Sequence, residues 1–154
     1  ITTQCIKLSS LRLGNLGLNG RCSYIRNLCS ALGNCNNLKD FRLDQSNIGR
    51  FDYLLDALSS CPKLQRVYLS ITKNTDKLME ETVMTFLERT NKLLFFGVRL
   101  PKTLFNSQLQ SRVNNWVRKR VTNTYPPRWR SWLTRESCRY STAVDGEIEV
   151  RIPV

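Results

Sequence analysis

The sequence predicts an α/β solenoid: short helices alternate with short strands, and the strands line up as one parallel sheet. Two observations carry this. The first is a four-fold recurrence of apolar residues at spacings of three and two: Leu8, Leu11 and Leu13; Leu38, Phe41 and Leu43; Leu64, Val67 and Leu69; Leu93, Phe96 and Val98. Their starting positions lie 30, 26 and 29 residues apart, and fixed periods of that size mark repeat architectures. The second is that other columns keep step. Cys5, Cys35, Cys61 and Thr90 each stand three residues before a first apolar position, and Thr2, Leu32, Leu58 and Leu87 stand six before it.

Each element follows from local pattern. The first strand, Leu8–Leu13, leads through Gly14, Asn15, Gly17, Asn19 and Gly20 into a helix near Cys22–Leu32. Ile25, Leu28, Cys29 and Leu32 share one face of that helix, and Gly33-Asn34 ends it. The strand Leu38–Leu43 is followed by an inward Ile48. Phe51, Leu54, Leu55 and Leu58 then make one face of a second helix, and Pro62 follows its end. The strand Leu64–Leu69 precedes a polar loop over Thr72–Asp76. A third helix near Lys77–Arg89 places Leu78, Val83, Phe86 and Leu87 inward, with Asp76, Glu80 and Glu81 at its positive end. The fourth strand is Leu93–Val98, and Pro101 breaks the pattern. The polar turn position three residues past each strand's last apolar residue falls on Leu16, Ser46, Thr72 and Pro101. Only Ser and Thr supply a hydrogen-bonding side chain there.

Beyond Pro101 the period changes. Phe105, Leu109, Val113, Trp116, Val117 and Val121 define one amphipathic helix, suited to covering the open end of a repeat core, and Tyr125-Pro126-Pro127 stops it. Ile148, Val150 and Ile152 alternate with Glu147, Glu149 and Arg151 as a strand does, with no partner evident. The expected division is repeats over 1–101 and a capping helix with a basic, aromatic extension over 102–154. The opening residues read as the tail of a repeat, as expected of a fragment whose solenoid continues upstream.

Composition narrows the functional classes. The chain has 24 basic residues, 12 acidic ones and no histidine. Without imidazole there is no Ser-His-Asp or Cys-His machinery and no histidine metal site. No Cys-x-x-Cys pair or glycine-rich phosphate loop occurs. Asp40 and Asp44 read as surface acids. The expectation is therefore no enzymatic activity, no cofactor and no metal. Cys5, Cys35 and Cys61 share a repeat column and read as small, buried, reduced hydrophobes. The lack of any Asn-x-Ser/Thr site points toward an intracellular setting, expected to be cytoplasmic rather than nuclear, and no apolar run approaches the length of a membrane helix.

Two binding surfaces remain. Residues alternating with the buried ones line the open, concave sheet face. One column reads Arg12, Arg42, Tyr68 and Gly97; its neighbours read Ser10, Asp40, Arg66, Phe95 and Gly14, Asp44, Ser70, Arg99. Arg12, Asp40, Arg42, Asp44, Arg66, Tyr68 and Arg99 are the candidate partner-binding residues, since arginine and tyrosine favour interface hot spots. The second surface follows the charge. Residues 105–140 hold eight basic residues against one acidic, together with all three tryptophans. Arg118, Lys119, Arg120, Arg128, Trp129, Arg130 and Trp132 are candidates there for nucleic acid or an acidic partner; the alternative is that Trp116 caps the core and the arginines lie over apolar surface.

The Cys-x-x-Leu-x-x-Leu-x-Leu form at Cys5, Cys35 and Cys61 resembles the ribonuclease-inhibitor class of leucine-rich repeats. That class is found in ribonuclease inhibitor, nucleotide-binding leucine-rich-repeat receptors, F-box substrate adaptors and tropomodulins. The resemblance covers about residues 1–100. It implies a short right-handed horseshoe arc with helices on its convex side. It further implies a protein-recognition module of a larger intracellular protein; nucleic acid is the alternative partner expected from the cationic C-terminal segment.

Overall fold

The computed structural model describes residues 7–14, 17–18, 22–48, 50–74, 79–101, 107–124, 126–128, 138–141 and 146–151. Its elements in order are β1 (Ser10–Gly14), β2 (Gly17–Leu18), α1 (Cys22–Gly33), β3 (Asp40–Ile48), α2 (Phe51–Ser59), β4 (Arg66–Asn74), α3 (Met79–Arg89), β5 (Phe95–Leu100), α4 (Ser107–Thr124), β6 (Cys138–Ser141) and β7 (Gly146–Arg151). Strands β1, β3, β4 and β5 pair in parallel in that order, and short β2 also pairs with β3. The chain is a leucine-rich-repeat arc, with a helix covering the sheet after each parallel strand. Thr2, Cys5, Leu16, Asp76, Lys77, Leu78, Phe105, Tyr125, Trp129, Arg130 and Trp132 lie outside the described residues.

The period is visible in backbone geometry. Leu38, Leu64 and Leu93 donate their N–H groups to the carbonyls of Cys35, Cys61 and Thr90, at 3.2, 3.2 and 3.4 Å. The first apolar residue of each motif therefore closes a turn, which is why the strands start at Asp40, Arg66 and Phe95 rather than at the leucines themselves. The carbonyls of Ser9, Lys39 and Gln65 each accept two successive N–H groups from the next repeat. The shared column before the turns is chemical as well as apolar. The Cys35 thiol donates to Ala31 O at 3.2 Å, Cys61 to Ala57 O at 3.7 Å, and the Thr90 hydroxyl to Phe86 O at 2.7 Å. Each adds a second donor to a last-turn carbonyl that already accepts a backbone N–H, from Asn34, Ser60 or Thr90, so thiol and hydroxyl interchange there. Cys29, Cys35 and Cys61 are free thiols, and burial pushes Cys29 and Cys61 each up to about 11.

Side chains from both layers fill the core. Phe41, Leu43, Val67, Leu69, Phe96 and Val98 of the sheet meet Ile25, Leu32, Leu54, Leu55, Leu58, Val83, Phe86 and Leu87 of the helices, all buried. Leu109, Val113, Val117 and Val121 of α4 continue this layer, and Trp116 packs against it half-buried. Arg112 ties α4 to α3 by pairing with Glu80 at 2.9 Å and with Glu81.

Two expectations need correction. The loop expected over Thr72–Asp76 is strand as far as Asn74, because Lys73 and Asn74 pair with Asn47 and Ile48. The expected equivalence of Ser46 and Thr72 also fails: Ser46 is paired with buried Ile71, while Thr72 is exposed. The cause is a bulge after Leu43, where Gln45 takes a φ of 43° and slips the ladder by one residue. Ser46 is wholly buried and donates to Asp44 O at 2.9 Å, so it does fill the polar turn place.

The terminal strand finds its partner here. Strand β7 pairs antiparallel with β5, with Val98 opposite Ile148 and Phe96 opposite Val150, and β6 adds outside it. Strand β6 carries no clean alternation and was not legible from the sequence.

Candidate functional site

With the core on one side, the other face of the sheet carries every second residue of β1, β3, β4 and β5. Strand pairing aligns them as the spacing suggested. Ser10, Asp40, Arg66 and Phe95 form one row, and Arg12, Arg42, Tyr68 and Gly97 the next. The third row is interrupted: Gly14 pairs with Asp44 and Ser70 with Arg99, but the bulge breaks the register between Asp44 and Ser70.

These side chains are interlocked. Asp44 accepts from Arg12 Nε at 2.8 Å and from Arg42 Nε at 2.8 and 3.1 Å. Arg66 holds Asp40 through Nε, and through Nη2 at 3.0 Å. The Arg42 guanidinium also sits 4.7 Å from the centroid of the Tyr68 ring, a cation–π distance. Hydrogen bonding from Arg66 holds the Asp40 carboxyl below its ordinary range. At Asp44 partial burial pushes upward, but the hydrogen bonds from Arg42 and Arg12 outweigh it and the net shift is down. Both acids are therefore ionised at neutral pH.

The third parallel step needs a glycine. A Cβ at Gly97 would lie 2.6 Å from Tyr68 Cδ2 and 3.1 Å from Phe95 Cζ. The two rings thus close over the backbone of β5, and Tyr68 becomes a shelf with Arg42 on one side and Gly97 on the other. Two hollows flank the Arg12–Arg42–Tyr68 ridge. One, of about 280 Å³, is bounded by Asp40, Arg66 and Phe95; the other, of about 450 Å³, by Asp44, Gln45, Ser70 and Arg99.

Sequence spacing missed two parts of this face. Gln45 lines the larger hollow only because the bulge places it there. Strand β7 sets Glu149 opposite Gly97 and Glu147 opposite Arg99, with β6 setting Arg139 opposite Glu149. The Glu147-Glu149-Arg151 alternation signalled a strand, but nothing local to it signalled that neighbour.

The basic segment is not gathered into one surface among the described residues. Arg118, Lys119 and Arg128 are exposed. Arg120 turns back, donating to Thr90 O at 3.3 Å, Leu93 O at 3.4 Å and Asn91 O, with its guanidinium 5.3 Å from the Trp116 ring centroid. Burial lowers the pKa of Arg120. It satisfies the carbonyls of the turn after α3. No group of metal-ligating side chains occurs among the described residues.

Fold and face together define a leucine-rich-repeat protein. Residues 1–121 match the family described as "F-box/LRR-repeat protein 18, LRR", and the chain belongs to that family. The human protein F-box/LRR-repeat protein 18 is 36% identical over 117 residues, an alignment covering 72% of this chain and 16% of that protein. The chain thus spans about a sixth of the length of this curated relative. No solved structure matches it. Among the described residues no helix is long and apolar enough to cross a membrane.

Proposed function

We propose that this chain is the terminal leucine-rich-repeat part of a larger intracellular adaptor, and that its concave sheet face binds a protein partner without catalysis. One observation carries the reading: arginines, a tyrosine and a phenylalanine stand in register across β1, β3, β4 and β5, the arginines already held by Asp40 and Asp44 and Arg42 also by the Tyr68 ring. Preformed aromatic and arginine anchors lower the ordering cost of association. The relative's name joins an F-box to leucine-rich repeats, and in such an adaptor the repeats would select the protein. The antiparallel pairing of β7 on β5 supports a terminal position, because that edge of β5 is taken and cannot accept a further parallel repeat. On this reading 1–101 supplies the recognition face and 102–154 closes the array.

The test compares two variants by co-purification from cell extract. Arg42→Glu/Arg66→Glu/Tyr68→Ala should lose the partner at low and physiological salt, while Arg118→Glu/Lys119→Glu should retain it. Loss only in the second variant, with steep salt dependence and recovery of nucleic acid, would overturn the reading.

A further inference from the structure

We propose that the larger hollow of the open face recognises an acidic segment of the partner, through closely spaced carboxylate side chains of an extended peptide placed on Arg12 and Arg42. This rests on the reading of that face as the partner surface and specifies its chemistry.

Both arginines are positioned but unsaturated. Their bonds to Asp44 run through Nε, one of the five N–H groups of a guanidinium. The Nη ends make no further hydrogen bond among the described residues, and the two side chains are 70% and 49% exposed. Arg42 is held from two sides, by both carboxylate oxygens of Asp44 and by the Tyr68 ring. Much of the entropy of ordering it is thus spent before a ligand arrives. Arg12 and Arg42 share the single carboxylate of Asp44 on the rim of this hollow, so two cations face one anion there.

That excess favours an anion, and guanidinium geometry favours a planar two-oxygen one. Asp44 decides which. It shows that these two arginines hold a singly charged carboxylate, and its own negative charge opposes a second, doubly charged group beside it more than another carboxylate. The site therefore takes glutamate or aspartate rather than a phosphoryl group.

The experiment is fluorescence anisotropy of a labelled peptide alternating glutamate with glycine, titrated with the full chain at about 0.15 M ionic strength. Arg12→Ala/Arg42→Ala and Arg118→Ala/Lys119→Ala remove equal charge from different faces. The first should weaken binding about tenfold or more and the second less than about twofold. Arg12→Lys/Arg42→Lys, which keeps charge and fold but loses the planar fork, should fall between them. Equal losses in the two alanine pairs, no binding by the unaltered chain, or much tighter binding of the phosphoserine counterpart would each overturn the proposal. Partner capture separates the levels. If the peptide fails but Tyr68→Ala still abolishes capture, the acidic ligand falls and the concave face stands; if both fail, both fall.

Discussion

Gly97 is where a single atom controls the open face. A methyl group there would meet the Tyr68 ring at 2.6 Å, so Gly97→Ala should displace the ring and with it the Arg42 contact. Partner capture is expected to weaken while the thermal midpoint moves little, since the ring lies outside the core. Arg120 is the opposite case, a basic residue whose work is internal. Arg120→Ala removes a charged donor from three carbonyls, of which Thr90 O keeps the Leu93 N–H, and should cost about 1–3 kcal/mol in denaturant unfolding, whereas Arg118→Ala should cost under about 0.5 kcal/mol. Titration follows the same contacts. Hydrogen bonds lower Asp40, Asp44, Asp52 and Glu81 below their ordinary values. Their stabilisation is present above the unfolded-state value of about 4 and lost as pH falls through the lower folded ones. Cys29 and Cys61 shift upward, so their contribution is full below about 9 and lost as pH rises toward 11. With no histidine in the chain, unfolding free energy measured across pH 5–8 should be nearly flat.

Among elements, the turn that follows each helix is the repeated unit, and its thiol or hydroxyl is exchangeable. Cys61→Ser keeps a donor for Ala57 O and Leu32 O and should unfold within about 1 kcal/mol of the unaltered chain. Cys61→Val removes the thiol donor while both carbonyls keep a backbone N–H, from Ser60 and Cys35, and should cost about 0.5–1.5 kcal/mol. Strand β7 is bordered by β5 along its length and by β6 over Glu147–Val150, so its middle does not suit proline. Val150→Pro should lower the thermal midpoint by several degrees and raise dye-reported aggregation, because it bares the edge of β5. The four parallel strands and four helices were legible from apolar spacing. Their limits were not: the leucines that announce each motif sit in turns, and the bulge at Gln45 answers to the ladder rather than to its own residue type.

For the whole molecule, two layers share one core from Ile25 in α1 to Val121 in α4. Repeat arrays are stabilised by neighbour-to-neighbour contacts, so damage at the middle should reach both ends. Phe86→Ala, in the helix before the cap, is expected to cost about 3–5 kcal/mol and to unfold the whole chain in one transition, with tryptophan fluorescence and circular dichroism coinciding. By itself the sequence determined the repeat period, the buried side of each element and the rows of the open face, because those depend on spacings within a few residues. Only the tertiary structure decided that β7 closes the sheet on β5, that Arg120 serves the turn after α3, and that Asp44 bridges Arg12 and Arg42. The pairing of β7 with β5, the reach of Arg120 to Asn91 and that of Arg12 to Asp44 each join residues roughly 30 or more positions apart, and no local pattern encodes which distant group will satisfy an open strand edge, a bare carbonyl or a charge.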